Sequence, residues 1–245
     1  MREIVKNLLT RLGLLESIKK LTLHKWSYFK SQKKQDKWVI FDVLKYKRKG
    51  YFLDLAAADG VLHSNTYVLE KLFGWDGICI EPNPAFLEVL KRKRSCIVVD
   101  SIVSNNNDPV EFRIDNGQLG GIIADDTDNN VEIRADELET ASIMKRDAVT
   151  LTSILDEHGA PETIDYFSLD VEGSEERVIE GLDFDKYTFL CITIERANER
   201  VNKILFDNGY IFVKNYRYDT FYIHKSLAGK NIKIDRFEQV VKKDW

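Results

Sequence analysis

Three cysteines, Cys79, Cys96 and Cys191, are too few and too scattered for a disulfide framework. Each falls in an apolar, strand-like run, so they are expected as reduced core thiols of a cytoplasmic protein. No apolar run approaches the ~18 residues needed to span a bilayer. The first residues, Met1 to Lys6, scatter charges among themselves and offer no small-residue cleavage site, so a signal peptide is not expected. Glycine is missing where nucleotide loops need it most. No G-x-x-x-x-G-K-[ST] occurs, which excludes a P-loop, and no G-x-G-x-x-G, the turn on which a dinucleotide pyrophosphate sits.

What is present fits one α/β domain with an extension. The chain has 245 residues, 44% hydrophobic and 31% charged, and a net charge of −4. The charge is unevenly spread: residues 1–50 carry fourteen Lys/Arg against four Asp/Glu, a balance of +10 that leaves −14 for the remainder. That split locates any anionic partner at the N-terminus and argues against nucleic acid as a partner. Ile4, Leu8, Leu12 and Leu15 recur at helical spacing, with Val5, Leu9 and Ile18 beside them, and predict amphipathic helices broken near Gly13. Lys30 to Lys37 reads as a polar connector and Trp38 to Leu44 as a further short helix. This basic arm, 1–49, is expected to pack on the following domain or on a second copy of it, as in a homo-oligomer. The alternative is peripheral membrane contact through residues 1–37.

Beyond the arm, strand-like runs fall at 51–55, 77–81, 96–100, 110–114, 164–170, 188–195, 209–214 and 219–224. Helix-like runs fall at 65–73, 84–92, 150–157, 174–181 and 196–207. Alternation of this kind predicts right-handed crossovers and a mostly parallel sheet with helices on both faces, over residues 50–228. The last two strands are close enough for an antiparallel hairpin at one edge. Residues 115–146 fit no regular element and read as a lid or acceptor loop, or as a solvated one, and 229–245 as a tail.

Tyr51 to Gly60 is an apolar run ending in an acid and a small-residue turn, and Gly77 to Asn83 is a second run closed by Glu81. This βαβ unit suits a nucleoside, with Glu81 accepting hydrogen bonds from ribose hydroxyls. The turn holds one glycine and two carboxylates, Asp54 and Asp59. Two acids would repel a pyrophosphate but suit an ammonium or sulfonium, and S-adenosylmethionine carries both. Further strand tips present Asp100, Asp170 with Glu172, and Glu195, at the carboxyl ends where open α/β sheets bind ligands. Ser174 stands where it can cap the helix that follows.

The runs D-L-A-A-A-D-G-x-x-x-S-N-T at 54–66, G-W-D-G-I-C-I-E-P-N-P at 74–84, I-D-Y-F-S-L-D-V-E-G-S-E at 164–175 and I-E-R at 194–196 resemble the FkbM family of S-adenosylmethionine-dependent methyltransferases. The resemblance covers about residue 50 to Lys225. It implies a Rossmann-like domain with a seven-stranded sheet whose last strand is antiparallel. It also implies O-methylation of sugars, glycans (lipid-linked ones among them) or other small hydroxyl-bearing products. Asp54 to Gly60 would form the cofactor turn and Glu81 would hold the ribose, with Pro82 and Asn83 beside it. Asp100 and Ser101 would lie near the adenine, and Ser64 and Asn65 near the methionine end. Asp170 and Glu172 would line the site of transfer. The departure is Ala56, where the family usually has glycine.

Transfer to a hydroxyl needs the proton removed. Asp170 is the expected base, with Glu172, Glu195 and His63 behind it. Clustered carboxylates raise one another's pKa, or together hold Mg²⁺ on Asp170, Glu172 and Glu195. The other histidines, His24, His158 and His224, are expected to be structural. A nicotinamide oxidoreductase is disfavoured by the missing glycines. The competing class is a non-catalytic module acting through its basic arm.

Overall fold

The computed structural model describes residues 27–240. The helices expected over Ile4 to Leu23, their packing or membrane contact, and residues 241–245 lie outside the described residues. A helical turn, Gln35–Lys37, runs into a π-helical stretch, Trp38–Val43, ahead of the domain. Then follow β1 (Tyr51–Leu55), α1 (Tyr67–Phe73), β2 (Asp76–Ile80), α2 (Pro84–Lys93), β3 (Ile97–Val99) and β4 (Pro109–Arg113). Next come α3 (Ala135–Leu138), β5 (Ile143–Asp147), α4 (Leu151–Glu157), β6 (Thr163–Leu169) and α5 (Glu175–Glu180). The chain closes with β7 (Thr188–Glu195), α6 (Glu199–Asp207), β8 (Tyr210–Tyr216) and β9 (Asp219–His224).

The main sheet has seven strands in the order β3-β2-β1-β6-β7-β9-β8. The pairs from β3 through β7 are parallel, and β9 inserts antiparallel between β7 and β8. Both faces are buried, which is why the strands read as apolar runs without alternation. On one face Leu53, Ile78, Phe167 and Ile192 pack with α4, α5 and α6. On the other Phe52, Cys79, Tyr166 and Cys191 pack with α1 and α2 and with Trp38, Val39, Ile40 and Val43. The segment ahead of β1 therefore belongs to the same core. Cys79, Cys96 and Cys191 are free thiols; Cys79 and Cys191 are buried, and Cys96 is half-buried.

Two expectations are corrected. The run at 110–114 lies outside the main sheet, as β4, and pairs antiparallel with β5. Residues 115–146 are not structureless, since they hold the single turn Gly117–Leu119, α3 and β5. In β5, Ile-Met-Lys-Arg-Asp, three of five residues are charged and none is buried, so no apolar period marked it.

Candidate functional site

The parallel strands end at one edge, and a cleft opens there. It has two halves that share Leu55, Ala56, Ala58 and Gln118. One half, of about 570 Å³, is mainly apolar, walled by Phe86, Ile102, Val103, Phe112 and Ile122 with Glu81 at its rim. The other, of about 880 Å³, is lined by Asp54, Asp170, Glu172, Glu195 and Asp219, with amides of Asn65, Gln35 and Gln118. Residues 117–122 of the insertion thus border the cleft, while Asp128 N–H donates to Glu172 O at 3.1 Å and docks the rest.

Between β1 and α1 the chain turns sharply. Ala56 (φ 58°) and Ala58 (φ 46°) both sit in the left-handed region, as does Gly60 (φ 74°). A β-carbon costs about 1–2 kcal/mol there, so Ala56 is the strained form of a position that favours glycine. We expect Ala56→Gly to stabilise the fold by up to about 1 kcal/mol, a Tm rise of ~2–4 °C for a protein of this size. A calorimetric scan showing no rise would mean that the turn holds alanine without strain.

Glu81 ties this turn to β2. It is 5% exposed, and its two oxygens accept the Ala58 and Asn83 amides, each at 2.8 Å. Burial pushes its pKa up to about 7 against those bonds, helped by Asp100 and Asp54. A carboxylate offers about four lone-pair sites, so two remain for a ligand. Asn83 caps α2 through Ala85 N–H at 3.0 Å, and Pro82 and Ser101 line the apolar half.

Three residues expected at the cofactor stand off the cleft. Asp59 Oδ1 accepts the Val61 and Leu62 amides at 2.8 and 2.7 Å, so it shapes the turn. Gly60 faces away from the cavity: a β-carbon there would meet Leu90 at 2.5 Å and Arg94 at 2.7 Å. Asp100 is held by Arg146, whose Nη2 also donates to its carbonyl at 2.6 Å. Asp54 borders the polar half, accepting from Thr66 Oγ1 at 2.5 Å with Arg94 Nη1 at 4.0 Å, and burial raises its pKa against both. Arg94 itself is buried, donates to Glu70 at 2.6 Å and Gly60 O at 3.2 Å, and braces the turn from behind. It is one of four consecutive basic residues, Lys91 to Arg94, and nothing in that run singles it out.

In the polar half, Asp170, Glu172 and Glu195 place carboxylate oxygens within 4.8 Å of one another. Burial, then Glu195 and Glu172, hold the Asp170 carboxyl well above its ordinary range, and its Oδ1 is sealed from solvent with no partner among the described residues. Burial and Glu195 push Glu172 to about 7, against Arg196. Arg196 Nη2 lies 2.8 Å from Glu172 and 2.7 Å from Glu195, and its Nη1 pairs with Asp128. Ser64 and Asn65 line this half, Asn65 donating to Ser168 Oγ at 2.9 Å. His63 is exposed, and its Nδ1 accepts from Gln32 Nε2 at 2.7 Å.

Two contributors escaped the sequence reading. Asp219 opens β9 and lies opposite Glu195 in register, with its pKa near 6 through burial. Gln35, 4% exposed, donates to Asp219 Oδ1 at 2.7 Å. Its neighbour Asp36 staples the segment by accepting the amides of Lys30 and Ser31 at 2.9 and 3.1 Å.

Comparison with known families matches the Methyltransferase FkbM domain over residues 54–212. The chain belongs to the FkbM methyltransferase family. It is therefore a methyltransferase, and S-adenosylmethionine is the donor that membership implies. Two solved structures resemble it: precorrin-6y C5,15-methyltransferase from Geobacter metallireducens GS-15 and a SAM dependent methyltransferase from Aquifex aeolicus. The first is 11% identical, with a TM-score of 0.41 over 80% of this chain and 92% of that one. The second is 13% identical, with a TM-score of 0.37 over 85% and 96%. No curated protein matches the chain. Among the described residues no helix is long and apolar enough to cross a membrane.

The raised carboxyls of this methyltransferase make its stability depend on pH with a defined sign. Glu81, Glu172 and Glu175 near 7 and Asp219 near 6 hold protons in the folded state at a pH where the unfolded chain has released them. The folded state therefore binds more protons across roughly pH 4 to 7, and stability falls as pH rises through that window. His224, lowered by burial, opposes this, as do Glu70, Asp115, Asp126, Glu137 and Asp156 at the acid end, where ion pairs lower their carboxyls. Ligand-free protein is expected to melt higher at pH 6 than at pH 7.5; a lower Tm at pH 6 would contradict the clustering.

Proposed function

We propose that the chain transfers a methyl group from S-adenosylmethionine to a hydroxyl of a sugar, glycan or related small natural product, with carboxylate base assistance. The observation that carries this reading is the two-part cleft, whose apolar half is rimmed by Glu81 and whose continuation gathers the acids at four strand ends. Bound there, S-adenosylmethionine would supply an electrophilic methyl on a sulfonium. Glu81 fits the ribose, since it is buried, anionic when deprotonated and has lone pairs to spare. The acids of the polar half offset the sulfonium charge and exclude anionic acceptors.

Asp170 accepts the hydroxyl proton as the new C–O bond forms in line with the breaking S–C bond. Among the described residues its Oδ1 has no hydrogen-bond partner, so an acceptor hydroxyl can reach it once a bound sulfonium offsets the neighbouring acids and favours its ionised form. Glu172 and Glu195 already share Arg196, which leaves Asp170 as the member without an ion-pair partner among the described residues. A second reading rests on the spacing of the triad, which suits Mg²⁺ coordinated by Asp170, Glu172 and Glu195.

Incubation with methyl-labelled donor and a panel of sugar and lipid-linked acceptors, with and without EDTA, tests both readings. The expected product is an alkali-stable methyl ether formed equally in EDTA. Label in an alkali-labile ester, or on nitrogen, would overturn the hydroxyl assignment. Turnover abolished by EDTA and restored by Mg²⁺ would favour the metal.

A further inference from the structure

The apolar half of the cleft contains a buried hydroxyl without a partner. Ser174 is 2% exposed, its Oγ is sealed from solvent, and no hydrogen-bond partner meets it among the described residues. It precedes α5, where a serine oxygen ordinarily accepts a bond from the first turn of the helix. Here it makes no such bond. The turn is held instead by Glu175, whose Oε1 accepts the Val171 and Gly173 amides at 3.0 and 3.4 Å. The hydroxyl is therefore not needed to hold its own loop, and a buried hydroxyl without a bond is costly.

Ser174 and Val171 border the same half as Glu81. We propose that Ser174 is a donor-binding residue whose hydroxyl bonds the purine of S-adenosylmethionine. The inference rests on the donor reading above. With Glu81 taking the ribose and the polar half taking the charged end, the flat purine falls among Phe86, Ile102 and Phe112, where Ser174 is the buried hydroxyl left over. A purine edge offers ring nitrogens that accept and, in adenine, an amine that donates, and a hydroxyl can meet either.

Calorimetric titration of S-adenosylhomocysteine and of adenosine into wild type and Ser174→Ala, with thermal unfolding of both ligand-free proteins, decides the matter. The variant is expected to lose ~3–10-fold in affinity for both probes, the value of one hydrogen bond. Its ligand-free Tm should not fall, because no bond of the free protein is removed. Unchanged affinity overturns the proposal. A ligand-free Tm several degrees lower, whatever the affinity, returns Ser174 to helix capping. A loss for S-adenosylhomocysteine but not for adenosine moves the hydroxyl to the amino-acid end and overturns the purine assignment. If wild type binds neither probe, the donor reading fails and this inference with it, an outcome distinct from failure of the variant alone.

Discussion

Asp170→Asn is expected to lower kcat by ~10²–10⁴-fold, the usual share of general base catalysis, while donor affinity changes far less. Asparagine keeps the shape of the side chain and loses its basicity. The aspartate suits the test because among the described residues no cation is paired with it, whereas Glu172 and Glu195 both lean on Arg196. Burial and two neighbouring acids disfavour its charge in the free enzyme, so a neutral amide of the same shape should leave the fold no less stable. The measurement is steady-state turnover with an acceptor taken from the labelled-donor screen, beside donor titration. Normal turnover with lost donor binding would make Asp170 a cofactor ligand and move the base to Glu172 or Glu195.

Glu81→Ala is expected to weaken S-adenosylmethionine binding by at least ~10–100-fold. Two ribose hydrogen bonds to a charged acceptor are each worth ~1.5–3 kcal/mol, and 1.4 kcal/mol is tenfold in affinity. The same carboxylate also closes the β1 turn through Ala58 and Asn83, so the variant loses donor affinity partly through a loosened turn. A second readout isolates the charge. Because the carboxyl of the free protein titrates near 7 and the ribose bonds favour its ionised form, wild-type affinity should fall as pH drops from 8 to 6. Calorimetric titration giving equal affinity for variant and wild type would remove Glu81 from the ribose.

The turn that borders the cleft was legible because it is local. A buried strand must be apolar, its first exposed position can be an acid, and the turn beyond it must be small, so Asp54, Ala56 and Glu81 announce themselves in one short window. The rest depends on contacts distant in sequence. Asp219 was missed because the expectation placed site acids at the carboxyl ends of strands, and β9 runs the other way, bringing its first residue to that edge beside Glu195. Gln35 sits in a lysine-rich connector, and only the fold shows that its amide reaches 184 residues along the chain to Asp219. Asp59 and Asp100 satisfied the pattern, yet their carboxylates serve backbone amides and an arginine. Residue type and strand position do not determine which way a side chain turns. Ser174 was read as a cap because its position allows one; the cap goes unused where its backbone, at φ −95° and ψ 12°, lies outside the extended region that the capping Asn83, Thr150 and Asn198 adopt.

The family match begins at residue 54, but the self-sufficient unit begins earlier. A fragment cut at Tyr51 would keep Glu81 and the apolar half of the cleft and strip Trp38, Val39, Ile40 and Val43 from beneath the sheet. It would also remove Gln32, Lys33 and Gln35, one flank of the polar half. The boundary of shared ancestry and the boundary of foldability thus fall in different places. The stretch between them carries both a share of the core and one flank of the polar half.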